Sequence, residues 1–153
     1  MLTLLVALAC TPKTEDDSAG PPSGPGTLTV SLQMDADYIP AMEANGEAPI
    51  GTFEGSVYAE ADATSIGPND GAASLEDFSI PGVDLSDGGG PTGPLWTSAP
   101  LDPQIVWVLG CLDVDGNGCG DDGDPITIPN ENKVELLPGV DTPFTLYMGM
   151  LRP

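Results

Sequence analysis

Twelve consecutive residues carry most of the chemistry in this chain. Asp113-Val114-Asp115-Gly116-Asn117-Gly118-Cys119-Gly120-Asp121-Asp122-Gly123-Asp124 places oxygen-bearing side chains at positions 1, 3, 5, 9 and 12, with glycine at position 6. Alternate residues of a tightly curled backbone point inward, a glycine permits the sharp bend, and the carbonyl of Cys119 at position 7 completes a shell of hard oxygen donors. Donors of that kind, number and spacing suit Ca2+. A chain without histidine is poorly equipped to hold zinc or copper there. The expected ligands of one calcium ion are the side chains of Asp113, Asp115, Asn117, Asp121 and Asp124 and the Cys119 carbonyl, with Asp122 the alternative to Asp121. Five carboxylates in one loop would repel one another by several kcal/mol if desolvated without a cation. The competing reading is a solvated acidic turn built from good turn formers.

The chain opens with a largely apolar run, Leu2 to Ala9, that ends directly on Cys10. It is too short to span a bilayer and reads as a signal peptide over residues 1–9. Ala7-Leu8-Ala9-Cys10 resembles the lipobox of bacterial lipoproteins, although Ala7 stands where leucine is usual and no basic residue precedes the run. The resemblance implies that Cys10 takes a lipid and becomes the mature N-terminus, so that the protein is exported and contacts the membrane only through its anchor. Thr11 after the cysteine, rather than aspartate, implies the outer membrane or cell surface. From Thr11 to Gly26 the sequence is rich in Pro, Gly, Ser and charge, so residues 10–26 are expected to be a lipidated cysteine and a disordered tether.

Export implies an oxidising compartment, and the seven residues between Cys111 and Cys119 must turn back on themselves, so a Cys111–Cys119 disulfide is expected. Two small buried thiols are the alternative. Three Lys and Arg against 24 Asp and Glu give a net charge of −21, which repels nucleic acid and excludes it as a partner. Without histidine the usual general base of nucleophilic catalysis is missing, and nothing singles out one catalytic pair among the 24 acids. No enzymatic activity is expected. Tyr58, Trp96 and Trp107 are candidate stacking platforms for a sugar, unless Trp107 lies in a core strand and Trp96 covers an edge.

The elements that must position these residues are short strands. Twenty Gly and 17 Pro break the chain too often for long helices, while 40% hydrophobic content is too high for a fully disordered acidic chain. About 125 residues remain after leader and tether, enough to bury roughly two thirds of their surface. Thr27 to Met34 alternates strictly, with Leu28, Val30, Leu32 and Met34 on one face. Thr52 to Ala61 repeats the pattern with Phe53, Val57, Ala59 and Ala61 inward and a bulge expected at Gly55. Leu75 to Leu85 reads as a strand, a turn at Pro81-Gly82 and a second extended piece. Gln104 to Leu112 is a central strand apolar on both faces and leads straight into the acidic loop. Ile126 to Ile128, Lys133 to Leu137 and Pro143 to Leu151 are extended, and one helical turn is expected around Ala41 to Ala44. The whole predicts an all-β domain over residues 27–153, an antiparallel β-sandwich of about seven strands.

Leu112-Asp113-Val114-Asp115-Gly116-Asn117-Gly118 followed by Gly123-Asp124-Pro125 resembles the signature of prealbumin-like or carboxypeptidase-regulatory-like β-sandwich modules of bacterial surface proteins. The segment before it lacks the Gly-x-Tyr usual in such modules, and the likeness covers residues 96 to 151. The loop also departs from an EF-hand, since a strand enters it, Asp124 replaces glutamate at position 12, and Gly120 stands where an apolar residue is usual. The resemblance assigns no activity and implies only a structural or binding module. With the tether, the acidic surface and the missing catalytic groups, the expectation is a structural or interaction module of the cell envelope, stabilised by calcium, with an unidentified protein or polysaccharide ligand. A carbohydrate-binding surface domain is the alternative.

Overall fold

The computed structural model describes residues 20–64, 67–88, 90–119 and 123–151. The expected signal peptide, Cys10 and the expected tether as far as residue 19 lie outside the described residues, as do Asp121 and Asp122 of the acidic loop. In chain order the elements are β1 (Thr27–Met34), α1 (Ile39–Ala44), β2 (Ile50–Ala59), a 3-10 turn (Glu60–Asp62), β3 (Ala63–Thr64), β4 (Gly67–Pro68), β5 (Glu76–Asp84), β6 (Trp96–Thr97), β7 (Ile105–Asp113), β8 (Pro125–Thr127), a second 3-10 turn (Pro129–Glu131), β9 (Lys133–Glu135) and β10 (Asp141–Leu151). The protein is all-β.

Period-two patterning sets the inner face. Leu28, Val30 and Leu32 of β1 and Phe53 and Val57 of β2 are fully buried. β2 ends at Ala59, however, and Ala61 is exposed in the 3-10 turn instead of continuing the inward row. β7 buries both faces, as its run of β-branched and aromatic residues demands: Val106, Val108 and Leu112 enter the main core, whereas Trp107 and Leu109 join Ala63 in a smaller cluster outside it.

The strands form one eight-stranded mixed sheet in the order β5-β2-β7-β8-β10-β1-β6, with β9 also paired to β7 and β3-β4 a separate small ribbon. β2 covers one edge of β7 from Ala59 opposite Val106 to Thr52 opposite Asp113. The other edge is shared, β9 taking the Ile105–Trp107 end and β8 the Cys111 end. β1 and β10 pair in parallel over eight registers, from Thr27 opposite Asp141 to Met34 opposite Met148. The edge strands β5 and β6 then meet through side chains. Phe78 and Trp96 stack with centroids 3.9 Å apart, and the Ala99 N–H donates to the Glu76 carboxylate. The sheet is thus curled nearly into a barrel.

This architecture departs from the antiparallel seven-strand sandwich. Local alternation reports that a segment is a strand and which face it buries, but pairing between the first and last strands depends on contacts more than a hundred residues apart. Two details differ for stated reasons. Pro81-Gly82 makes no turn; the two residues stand against Thr52 alone as a bulge, tolerated because β5 is an edge strand and Gly82 takes φ +69°. Gly55 is not the bulge. It faces Gly110 across β2 and β7, and a Cβ there would sit 2.6 Å from both the Phe53 and the Phe78 ring. The glycine makes room for two aromatic rings.

Asn132, fully buried, ties the end of β10 to the β8–β9 connection. Its amide donates to the carbonyls of Ile128 (2.8 Å) and Tyr147 (3.1 Å), and its Oδ1 accepts the Tyr147 N–H at 2.9 Å. At the other end of the domain Gly26 exchanges backbone hydrogen bonds with Leu101, and Gly24 accepts one from Gly139.

Candidate metal site at the end of β7

The acidic loop begins where β7 stops. Asp113 is the last residue of β7, held opposite Thr52 of β2, and a Cβ on the neighbouring Gly51 would overlap the Asp113 carbonyl, so glycine is what lets the two backbones approach. Cys111 pairs with Ile126 of β8. Two residues further along each strand, that antiparallel register brings Asp113 and Asp124 face to face, which closes positions 1 and 12 of the loop onto each other.

Backbone donors organise what lies between. The N–H groups of Gly116 and Gly118 donate to the two oxygens of Asp113 at 2.8 and 3.2 Å. Asp115 accepts the Asn117 N–H at 3.1 Å and the Asn117 side-chain amide at 2.7 Å. Val114 N–H donates to Asp124 Oδ1 at 3.3 Å. Gly116, Gly118 and Gly123 adopt φ of +82°, +101° and +112°, a region that side chains with a Cβ rarely enter, so the glycine spacing is a backbone requirement.

Asp113, Asp115 and Asp124 each present one carboxylate oxygen within 4.8 Å of the others. Asp115 is exposed, Asp113 half-buried, and Asp124 only 3% exposed. Two unit charges at such a separation repel by roughly 3 kcal/mol at an effective dielectric of about 20. A divalent cation would reverse the sign of that term. Each carboxylate offers about four lone-pair positions, so the N–H donors described leave acceptor capacity for an ion.

Of the ligands expected from spacing, the structure thus gathers Asp113, Asp115 and Asp124 and places Asn117 against Asp115. Cys119 is held at the far side of the loop at disulfide distance from Cys111, their Cα atoms 5.9 Å apart. Asp121 lies outside the described residues. One acid was invisible to loop spacing: Glu47, from the α1–β2 connection, comes so near that a Cβ on Gly123 would stand 3.3 Å from its Oε2. The three aromatic platforms do not share one face, since only Tyr58 and Trp107 stand side by side. Trp96 packs on Phe78 against the main core, whereas Trp107 is buried on the outer face of β7, opposite Tyr58 and under the Lys133 amine, itself ion-paired with Glu60.

No family model matches the chain, and neither a curated protein nor a solved structure matches it.

Proposed function

We propose that this chain is a non-catalytic module of the bacterial cell envelope, lipid-anchored through Cys10, whose Asp113 to Asp124 loop is closed by one calcium ion. The observation that carries the calcium reading is the convergence of Asp113, Asp115 and Asp124, one oxygen each within 4.8 Å, at the mouth of the β7–β8 pair. Oxygen donors alone fit a hard cation. Asn117, Asp121 and the Cys119 carbonyl complete the proposed ligand set, and an oxidised Cys111–Cys119 bridge would shorten the loop that the ion must order. The ion's role is structural: it rigidifies the connection between two strands and the surface beside it. Affinity should fall near 10⁻⁴ to 10⁻³ M, the range of extracellular modules, because several glycines leave the metal-free loop loose. The lipobox-like Ala7-Leu8-Ala9-Cys10, the Pro/Gly/Ser-rich segment after it and the acidic surface support export and an anchored position.

Calorimetric titration of the chelated protein with calcium tests the metal. Binding heat, and a stabilisation of about 1.4 kcal/mol at tenfold saturation, should both vanish in the Asp113→Ala/Asp115→Ala variant. Absence of heat and an unchanged Tm at millimolar calcium would leave only an acidic turn. The anchor is tested by mass spectrometry of the membrane fraction, where an unmodified Cys10 ends that part of the proposal.

A further inference from the structure

Five asparagines occur in the chain, and glycine follows two of them, in Asn45-Gly46 and Asn117-Gly118. That pairing favours one intramolecular reaction. A glycine nitrogen, with no side chain beside it, can attack the Cγ of the preceding asparagine and close a five-membered imide. Both asparagines are exposed. What separates them is how each peptide unit is held.

Asn45 is the C-cap of α1, with ψ of −4°, and its peptide lies within a set of main-chain bonds. Asn45 N–H donates to the Met42 carbonyl at 2.9 Å, Gly46 N–H to Glu43 at 3.0 Å and Glu47 N–H to Met42 at 3.0 Å. Attack requires rotation about the asparagine ψ, which swings the glycine nitrogen toward the side-chain carbon. At Asn45 that rotation pulls Gly46 and Glu47 off their carbonyls. Two such bonds that must open first slow a reaction by roughly tenfold.

Asn117 stands between Gly116 and Gly118, at φ of +82° and +101°, and a Cβ on either glycine would meet nothing within 4 Å. There is room for a ring. Among the described residues the acceptors here are side chains: Gly118 N–H reaches Asp113 Oδ2 at 3.2 Å, and Asp115 takes both the Asn117 N–H and its side-chain amide. A carboxylate follows a turning N–H by rotating about its own χ angles, which a carbonyl fixed in a helix does not.

We propose that Asn117 is a self-modifying site, which closes on Gly118 and opens to aspartate and isoaspartate while Asn45 stays intact. The Gly118 nitrogen bonds to Asn117 Cγ, the Cγ–Nδ2 bond breaks, and the amide group leaves as ammonia with the proton that the nitrogen gives up. Water then opens the imide at Cγ, giving aspartate, or at the main-chain carbonyl carbon, giving isoaspartate. In the second product the chain runs through the former side chain and is one methylene longer. Nothing is oxidised or reduced. Either product adds a carboxylate beside Asp113 and Asp115, so the acidic loop changes with the age of the molecule. The reaction uses no cation and stands or falls apart from the calcium reading.

The test keeps the full chain at neutral pH and physiological temperature with a chelator, one sample in buffer and one in urea. Peptide mass spectrometry follows the exchange of amide for hydroxyl at each asparagine, and isoaspartyl methyltransferase labels the isoaspartate. In the folded protein Asn117 should convert at least tenfold faster than Asn45, with isoaspartate formed at Asn117. In urea, where helix cap and loop are both lost, the two rates should draw together. Equal rates in the folded protein, a ratio unchanged by urea, or an Asn117 that persists when folded and converts only in urea would each overturn the assignment.

Discussion

Replacing Gly55 with alanine puts a single methyl group where two aromatic rings already meet. The new carbon would lie 2.6 Å from Phe53 Cε1 and 2.6 Å from Phe78 Cζ, against the 3.5–4.0 Å at which carbon atoms attract best. About 1 Å must therefore be found on each side. Phe53 is fully enclosed and has nowhere to go. Phe78 packs between Phe53 (centroids 5.7 Å apart) and Trp96 (3.9 Å), so it yields by sliding off the Trp96 stack that joins β5 to β6. Overpacking costs about 1–3 kcal/mol and a lost aromatic stack about 0.5–1.5, a gross penalty of roughly 2–4 kcal/mol. Alanine recovers about 0.5–1 kcal/mol of the chain-entropy cost of glycine in a strand. The net expectation is destabilisation by about 1–3 kcal/mol, a fall in Tm of roughly 4–12 °C for a domain of this size. Urea unfolding followed by tryptophan fluorescence measures it, and Trp96 emission should change in the folded variant. Adding Phe78→Leu should recover part of the loss, with a coupling energy above about 0.5 kcal/mol. A variant as stable as the parent, with unaltered tryptophan emission, would refute the aromatic closure of the seam.

Asn132→Leu should destabilise by about 1–3 kcal/mol, because it strands the Tyr147 N–H, whereas the Ile128 and Tyr147 carbonyls keep the N–H groups of Glu131 and Ile128, and urea denaturation at neutral pH checks it. Cys111→Ser/Cys119→Ser should cost about 2–3 kcal/mol on the chain-entropy estimate for so short a loop, and a loss below 0.5 would mean the bridge does not form in the native protein. The Ser56 hydroxyl, and after it Ser74, holds the Asp77 carboxyl below its ordinary 3.8, as Ser86 does for Asp84. A depressed folded pKa contributes stability that is complete above the unfolded value and disappears as pH falls through the folded one, so these two sites feed acid unfolding below about pH 4. In Ser56→Ala the Asp77 pKa should rise, as followed by carboxyl NMR; an unmoved titration would remove the hydroxyl as its cause.

Local pattern was legible wherever a residue's neighbours in sequence are also its determinants. The alternation of Leu28, Val30, Leu32 and Met34 reports β1 and its buried face, and the unbroken apolar run of β7 reports a strand covered on both sides. The aspartate spacing foretold that Asp113, Asp115 and Asp124 would share one corner, because a tight glycine-rich turn between paired strands leaves them no other place. What stayed hidden was set by distant partners. The parallel union of β1 and β10 joins segments whose sequences carry no mark of each other. Glu47 reaches the loop from another connection, and the contact of Ser56 with Asp77 exists only once β2 and β5 are in register. Gly55 and Pro81-Gly82 were read from the usual habits of their residue types, and those habits gave way to ring packing and to the freedom of an edge strand.

The parallel pairing of the first and last strands also decides how the domain bears load. The chain enters β1 at Thr27, beside Asp141, and leaves β10 beyond Met148, beside Met34, so the two exits point in opposite directions along the same pair of strands. Tension applied through the two ends pulls β1 and β10 lengthwise past each other. In that geometry the ladder between them is sheared as a unit, all its hydrogen bonds sharing the force, whereas a hairpin pulled from its open end peels one bond at a time. A domain wired in this way resists stretching between its termini far better than its thermodynamic stability alone would suggest.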